Sequence, residues 1–395
     1  MRTHVAVTGA AGISALGNIL TEHRQAMALG ISGLKPLGEL GELNGEFVNL
    51  PGGWITPRTL LADARYGPAT NLCLRLAREA VADAGWTPAM LCEAWLFVGS
   101  SRGNVAGWLH PWPGRRGHRQ MATSNSMHSE MATAVSIELG IRGPYQVLSN
   151  GCSSGLDAVG FGAWVVASGL APRALCLSAD LPLVPQLLRG YAQTGLLSRD
   201  GVNDPYSRKT TGFLPGEAGA ALALEPAAGQ PAYAHIVGYW ANSDAFHPLG
   251  LPEDGAGIRE VLMHAITELG MPRVSAICPH ASGTHAHGQA ERRALRAVFS
   301  AYETPISLHL MKPFTGHAIG ASGAIDLAVI CHALRDGELP PNLPHLTGAG
   351  DPFILPATPT LWDGGTVLKI SVGMGGHNAV IALAQSSNNR TQSRE

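Results

Sequence analysis

Charge is scarce in this chain: 14% of its 395 residues are Asp, Glu, Lys or Arg, and they nearly cancel to a net charge of −2. Without a basic surplus, neither a nucleic-acid backbone nor an anionic membrane is expected as a partner. Aromatic residues are few as well (8 Phe, 8 Trp, 7 Tyr), which argues against an aromatic-rich binding surface. No stretch reaches the ~18 to 20 consecutive apolar residues that cross a bilayer. The opening residues MRTHVAVTGAAG lack the apolar core of a secretion signal. The six cysteines (Cys73, Cys92, Cys152, Cys176, Cys278 and Cys331) are scattered through apolar surroundings with no framework spacing. They read as free thiols of a reducing compartment, so a cytoplasmic location is expected.

What the chain does have is glycine (49 residues) and a 45% hydrophobic composition, enough for a large core and roughly two or three domain-sized units. Short β-branched runs alternate with helical periodicity. HVAVTG (4–9), AWLFVGSSRG (94–103), YQVLSN (145–150) and ALCLSAD (174–180) read as strands. NLCLRLAREAVADAG (71–85), MATAVSIELGIRGP (131–144) and the small-residue stretch from Cys152 to about Ser168 read as helices. Beyond residue 228 the rhythm recurs: YAHIVGYW, a helix over 257–270, VSAIC, helices over 290–299 and 319–337, and a strand pair over 367–383. This alternation predicts an α/β protein with buried sheets and two similar halves. The boundaries follow as 1–227 and 228–385, with a polar, disordered tail over 386–395. LHPWPGRRGHRQ (109–120) reads as a basic surface loop.

Four stretches could carry chemistry. VTGAAGISALG (7–17) follows a strand, but Gly9, Gly12 and Gly17 miss the dinucleotide spacing. Tyr206 and Lys209 likewise fall one residue short of a dehydrogenase pair, so a nicotinamide oxidoreductase is a remote alternative to a glycine turn after the first strand. CPHASGTHAHG packs Cys278, His280, His285 and His287 together without a zinc-type spacing, so no metal is expected. MKPFTGHAIGASGAID sets Lys312 and His317 on a glycine-flanked loop before a helix, and close packing alone explains Gly316, Gly320 and Gly323 equally well. Finally, SNGCSSGLDAVGFGA places Cys152 where a helix begins. There the macrodipole and free N–H groups favour a thiolate and can hold an oxyanion. A buried, inert thiol remains the competing account.

In this order the stretches resemble the β-ketoacyl-acyl carrier protein synthases, the elongating condensing enzymes with the thiolase fold. GIRGPYQVLSNGCSSGLDAV is similar to the family's nucleophile segment, and YSRKTTGFLPGEAGAALALE to its D-G-F-x-x-G-E-G-A block. PHASGT, KPFTGHAIGASGAID and SVGMGGHNAVIAL resemble its two histidine loops and its closing glycine turn. The resemblance implies two βαβαβαββ halves in five α-β-α-β-α layers. It also implies Cys152 as the acyl acceptor, with His280 and His317 promoting decarboxylation of a malonyl thioester. N–H groups of Cys152 and Met374 would form the oxyanion hole. Lys312 and Asp326 would pair beneath the site, and Ser282, Thr284, Met374 and Gly375 would meet the substrate arm. No bound cofactor is implied; substrates ride on the phosphopantetheine of acyl carrier protein.

The resemblance further implies a homodimer, or a heterodimer with a chain-length factor. An acyltransferase without decarboxylation and a non-catalytic partner subunit are the alternatives. Departures stand at Ala281 and Ser282, at Asp326 in place of glutamate, at Met374 in place of phenylalanine, and at Asn150 and Gly151 before the cysteine. They point toward a specialised fatty acid or polyketide pathway. Arg58 and Arg65, or the loop at Arg115, Arg116 and Arg119, are candidates for docking the carrier.

Overall fold

The computed structural model describes residues 4–384 except 44, 63–64 and 107–126; the arginines of the 109–120 loop and the tail over 386–395 lie outside the described residues. One phrase of eight elements occurs twice. The first half runs β1 (Val5–Ser14), α1 (Pro68–Asp83), β2 (Trp95–Gly99), α2 (Glu130–Leu139), β3 (Tyr145–Leu148), α3 (Ser154–Ala167), β4 (Ala174–Asp180), β5 (Ala218–Pro226). The second runs β6 (His235–Ser243), α4 (Ala256–Glu268), β7 (Val274–Cys278), α5 (His285–Phe299), β8 (Ile306–Leu308), α6 (Ser322–Arg335), β9 (Thr366–Gly373), β10 (His377–Ala384).

Across each half the strands lie in the order third, second, fourth, fifth, first. The third, second and fourth are parallel, and the fifth is antiparallel to both its neighbours. A short antiparallel seam, Val5 against Ile236 and Ala6 against His235, joins the halves through β1 and β6. Leu72, Leu76, Met131 and Val135 of α1 and α2 cover the outer face of the first sheet. Ile258, Leu262, Leu295 and Phe299 of α4 and α5 cover that of the second. Between the sheets lie α3 and α6, whose Leu156, Val159, Leu327 and Ile330 share one core with Leu222 and Ile381. A helix walled in by two sheets must be apolar or small on nearly every face, as both are. The result is the five-layer α-β-α-β-α arrangement.

Two readings of the sequence need correction. The glycines after HVAVTG make no turn: β1 continues through Gly9 and Gly12 to Ser14. Gly9 sits at a register shift, where a Cβ would come within 2.2 Å of the Ala80 carbonyl oxygen on α1. Close packing of helix on strand, not a nucleotide loop, requires glycine there. Helix α5 also begins at His285, five residues before the periodicity becomes apolar. Burial of His287 and Gly288 overrides their weak helix propensity, and it sets His287 one turn from Glu291.

Candidate active site

Three loops meet at the starts of the two central helices. Gly151, with φ +61°, lets the chain leave β3 and coil into a 3₁₀ turn, Gly151–Ser153, that carries Cys152 into α3. The Asn150 N–H donates to Ser154 Oγ (2.9 Å), whose hydroxyl donates to the Gly151 carbonyl (2.6 Å). The turn is thereby pinned before the helix starts. In the second loop the buried Glu291 carboxylate accepts the N–H groups of His280 (2.7 Å) and Ala281 (2.9 Å) and the Tyr206 hydroxyl (3.0 Å). Ala281 is held at φ +41°, a left-handed conformation that costs an alanine about 1–2 kcal/mol. In the third loop His317 Nδ1 lies 2.8 Å from Ser322 Oγ, which already accepts the Ala318 N–H at 2.9 Å. The Ser322 hydroxyl can donate its proton to Nδ1, an arrangement that corresponds to the tautomer with the ring proton on Nε2.

Cys152 Sγ and ring nitrogens of His280 and His317 lie within 4.8 Å of one another, and all three residues are buried. The imidazoles meet edge to face with centroids 5.3 Å apart. A cleft of about 60 Å³ opens over them, walled also by Ser282, Thr284, His287 and Met374. Gly375, at φ +92°, makes the turn after Met374 and, among the described residues, forms no part of that wall. Beneath His280, the Lys312 ammonium donates to the His280 carbonyl and stands 3.5 Å from Asp326. The shortened acid does reach it. Asp326 makes a closer pair with Lys369, at 2.7 Å. The four residues of the 278–287 cluster are not gathered together, since His285 is exposed while His280 and His287 are buried.

Burial dominates the electrostatics. It pushes the Cys152 thiol up to about 11, against the pull of the Lys312 charge and of a hydrogen bond from the Met374 N–H. The expectation of a thiolate favoured by the helix start is thus reversed for the free site, because desolvation outweighs the dipole. Burial, reinforced by Lys312, holds His280 and His317 well below the ordinary imidazole range. Both are neutral at pH 7 and can donate one N–H each. Burial also lowers Lys312, whereas at Lys369 burial is the largest single influence but Asp326, Cys278 and Glu291 together outweigh it and raise the group.

Sequence reasoning missed Lys369, Glu291 and Ser322. A lone lysine in the apolar strand TVLKISVG was a usable signal, since buried lysines are almost always paired. The Ser-Gly pair that opens both α3 and α6 was another.

Two family descriptions match the chain: Beta-ketoacyl synthase, N-terminal domain, over residues 55–229, and Beta-ketoacyl synthase, C-terminal domain, over 233–345. The chain belongs to the β-ketoacyl synthase family. It is an acyltransferase-type condensing enzyme with the thiolase-like fold. This synthase is 28% identical to the tetracenomycin polyketide synthase ketoacyl synthase alpha subunit of Streptomyces glaucescens, over 98% of this chain and 96% of that one. It is 24% identical to the 3-oxoacyl-[acyl-carrier-protein] synthase 2 of Coxiella burnetii, over 97% and 99%. Among solved structures, it superposes with a TM-score of 0.84 on a type II polyketide ketosynthase in complex with its acyl-carrier protein, at 23% identity over 98% of this chain and all of that one. The ishigamide ketosynthase/chain length factor gives 0.82 at 24% identity, over 98% and 100%. These two likenesses bear on the fold.

Proposed function

We propose that Cys152 is the nucleophile of a decarboxylating Claisen condensation between an acyl thioester and a malonyl group on acyl carrier protein. One observation carries the reading: a thiol and two neutral imidazoles converge within 4.8 Å at the floor of one cleft. In the first step Cys152 Sγ attacks the acyl carbonyl. Its proton passes through a neutral imidazole to the departing carrier sulfur, and the chain stays on Cys152 as a thioester. The tetrahedral oxyanion is met by the N–H groups of Cys152 and Met374, the latter already facing the sulfur.

In the second step the N–H groups of His280 and His317 hold the malonyl thioester carbonyl. The bond to the carboxylate breaks, carbon dioxide leaves, and the electron pair enters the enolate that the imidazoles stabilise. That carbon attacks the acyl-Cys152 carbonyl, releasing Cys152 and the β-ketoacyl product. Lys312, shared with Asp326 and the His280 carbonyl, is a positioning residue beneath the donor pair. The hydroxyls of Ser282 and Thr284, 3.2 Å apart at the cleft wall, suit the amides of a phosphopantetheine arm. In this reading residues 1–227 supply the nucleophile and 228–385 the histidines. The enzyme works in the cytoplasm as a homodimer, on carrier-bound substrates of a specialised fatty acid or polyketide pathway. Retention of Cys152, His280 and His317 together favours catalysis over a chain-length-factor role.

The test is incubation with acyl-carrier and malonyl-carrier protein, followed by intact mass. An acyl adduct that Cys152→Ala abolishes, followed by β-ketoacyl product, is expected. No such adduct sinks the nucleophile assignment, and an adduct without condensation marks a plain acyltransferase.

A further inference from the structure

Beside Cys152 a second cavity, of about 450 Å³, is lined by Gly151 and Met374 at one side and by Arg102 and Tyr191 at another. It shares Leu196, Leu249 and Met374 with the cleft above the histidines. An acyl chain leaving the Cys152 sulfur therefore has this space open to it. Its wall is unusual for an alkyl chain. Ser101, Arg102, Ser149, Gln186, Tyr191 and Thr194 contribute polar groups, and no acidic side chain lines it among the described residues.

Among the described half-buried arginines, Arg24, Arg58, Arg75 and Arg173 each lie within 4.0 Å of a carboxylate, whereas Arg102 and Arg292 do not, and of these two only Arg102 lines the cavity. Its Nε donates to the Tyr191 hydroxyl at 2.9 Å, and the guanidinium lies over the Tyr191 ring, 5.6 Å from its centroid. Tyr191 in turn packs edge to face on Phe213, and Phe213 on His317, so the charge is seated on the wall of the site. The nearby Asp180 carboxylate is already taken. It accepts the Ser100 hydroxyl (2.7 Å) and the N–H groups of Ser101 (2.9 Å), Arg102 (2.9 Å) and Gly320 (2.8 Å), so it holds the turn and not the guanidinium. A guanidinium has five donors in a fixed fork, and a half-buried one without an anion is a strong site for an oxygen acceptor.

We propose that the acyl group on Cys152 carries an oxygen function, a ketone or a carboxylate, that Arg102 and Tyr191 recognise, and that plain alkyl chains are poor substrates. This rests on the acyl-cysteine reading above and names its substrate class. Tyr191 holds the guanidinium and Arg102 meets the oxygen, which makes Arg102 a specificity residue for the first half-reaction.

The experiment measures Cys152 acylation rates by intact mass, with N-acetylcysteamine thioesters of matched length. The four-carbon set is butanoyl, 3-oxobutanoyl and succinyl; the six-carbon set is hexanoyl, 5-oxohexanoyl and adipoyl. The full-length protein is expected to favour an oxygenated member of a set over its alkyl analogue by about tenfold to a hundredfold, the range of one charge-assisted hydrogen bond. A lead for the diacids identifies a carboxylate, and a lead for the oxo acids a ketone. Arg102→Leu removes the preference and Arg102→Lys restores part of it. Should Arg102→Leu melt early, Arg102→Gln removes the charge and the guanidinium fork while leaving a shorter polar side chain in the wall.

Equal rates for alkyl and oxygenated donors, or a preference that survives Arg102→Leu and Arg102→Gln, overturns the inference and leaves the condensing reading standing. Failure of every donor to acylate Cys152 overturns both.

Discussion

The turn that enters α3 and the turn that enters α6 are the same backbone device put to two uses. Each is a three-residue 3₁₀ coil, Gly151–Ser153 and Ile319–Ala321, opening a fourteen-residue helix that begins with Ser-Gly. Each starts at positive φ, +61° at Gly151 and +46° at Ile319. In each, an N–H four residues before the serine donates to its hydroxyl oxygen at 2.9 Å, Ser154 in one case and Ser322 in the other. The glycines that follow face serines on equivalent strands, Gly155 against Ser178 of β4 and Gly323 against Ser371 of β9. Position for position, Cys152 matches Gly320, and Ser149 matches His317. The fold offers one scaffold twice, and the two copies divide the chemistry: the first presents a sulfur, the second a proton donor. Even the serine hydroxyl is redirected, from a backbone carbonyl at Ser154 to the imidazole at Ser322.

The sharpest way to break the comparison is to remove the group that only one copy has. Cys152→Ala is expected to abolish the acyl-enzyme and to lower condensation by at least ~10⁴-fold. Product formation near the wild-type rate would show that the first copy carries no nucleophile.

The second position to test is its counterpart. A Cβ at Gly320 would meet Asp180 Oδ2 at 2.6 Å and the Ser101 nitrogen at 2.7 Å, so Gly320→Ala is expected to destabilise by about 3 kcal/mol. Urea denaturation reads this directly, and a midpoint equal to the wild type would mean that the second turn has room it does not show.

Ser322→Ala probes the redirected hydroxyl. It is expected to slow malonyl decarboxylation about tenfold, and to shift its pH profile, with acylation of Cys152 changed less than threefold, since of the three converging side chains only His317 loses a partner. Ser154→Ala, the matched control, is expected to alter melting and not the pH profile. Equal effects of the two substitutions on decarboxylation would dissolve the distinction.

The gentlest test is acid. Burial keeps His280 and His317 neutral in the folded protein, whereas in the unfolded chain they bind protons near the ordinary value of about 6.5. Below that pH the unfolded state holds more protons, so their contribution to stability is full above about pH 6.5 and is lost as pH falls toward their folded values. His377, which the Asp157 carboxylate 3.0 Å away raises, acts in the opposite sense and loses its contribution as pH rises through its folded value. Stability at pH 5.5 is expected to lie below that at pH 7.5, with a shallower difference in the His280→Asn, His317→Asn double variant. An identical slope in that variant would contradict the assignment.

Much of this was legible in the sequence, for identifiable reasons. The alternation of strands and helices is a local pattern, and it showed both α3, as a run of small residues, and α6 as helices. Cys152, His280 and His317 stand in short contiguous motifs, so their order along the chain carried them. What escaped was long-range. Gly9 looked like a turn because nothing local reveals that the Ala80 carbonyl presses on it. The start of α5 was hidden by His285, Ala286, His287 and Gly288, of which His287 and Gly288 are buried by other parts of the chain. Asp326 was matched to Lys312 through the family resemblance, while its closer partner, Lys369, comes from a strand 43 residues further on. The resting thiol was read from the helix end alone, and the desolvation that raises it belongs to the whole packed site.

The seam between β1 and β6 has a consequence for chain continuity. Tyr233 and Ala234 bond back to Val7 before β6 begins, and Ala228 and Gly229 just ahead of them are exposed. A nick there severs one covalent link but none of the shared core around α3 and α6, so the two pieces remain a single folding unit. Neither piece alone can hide its inner sheet face or assemble a site that draws its sulfur from one and its imidazoles from the other. Two co-expressed fragments split at Ala228 would thus be obligate partners, each folding only as the other arrives.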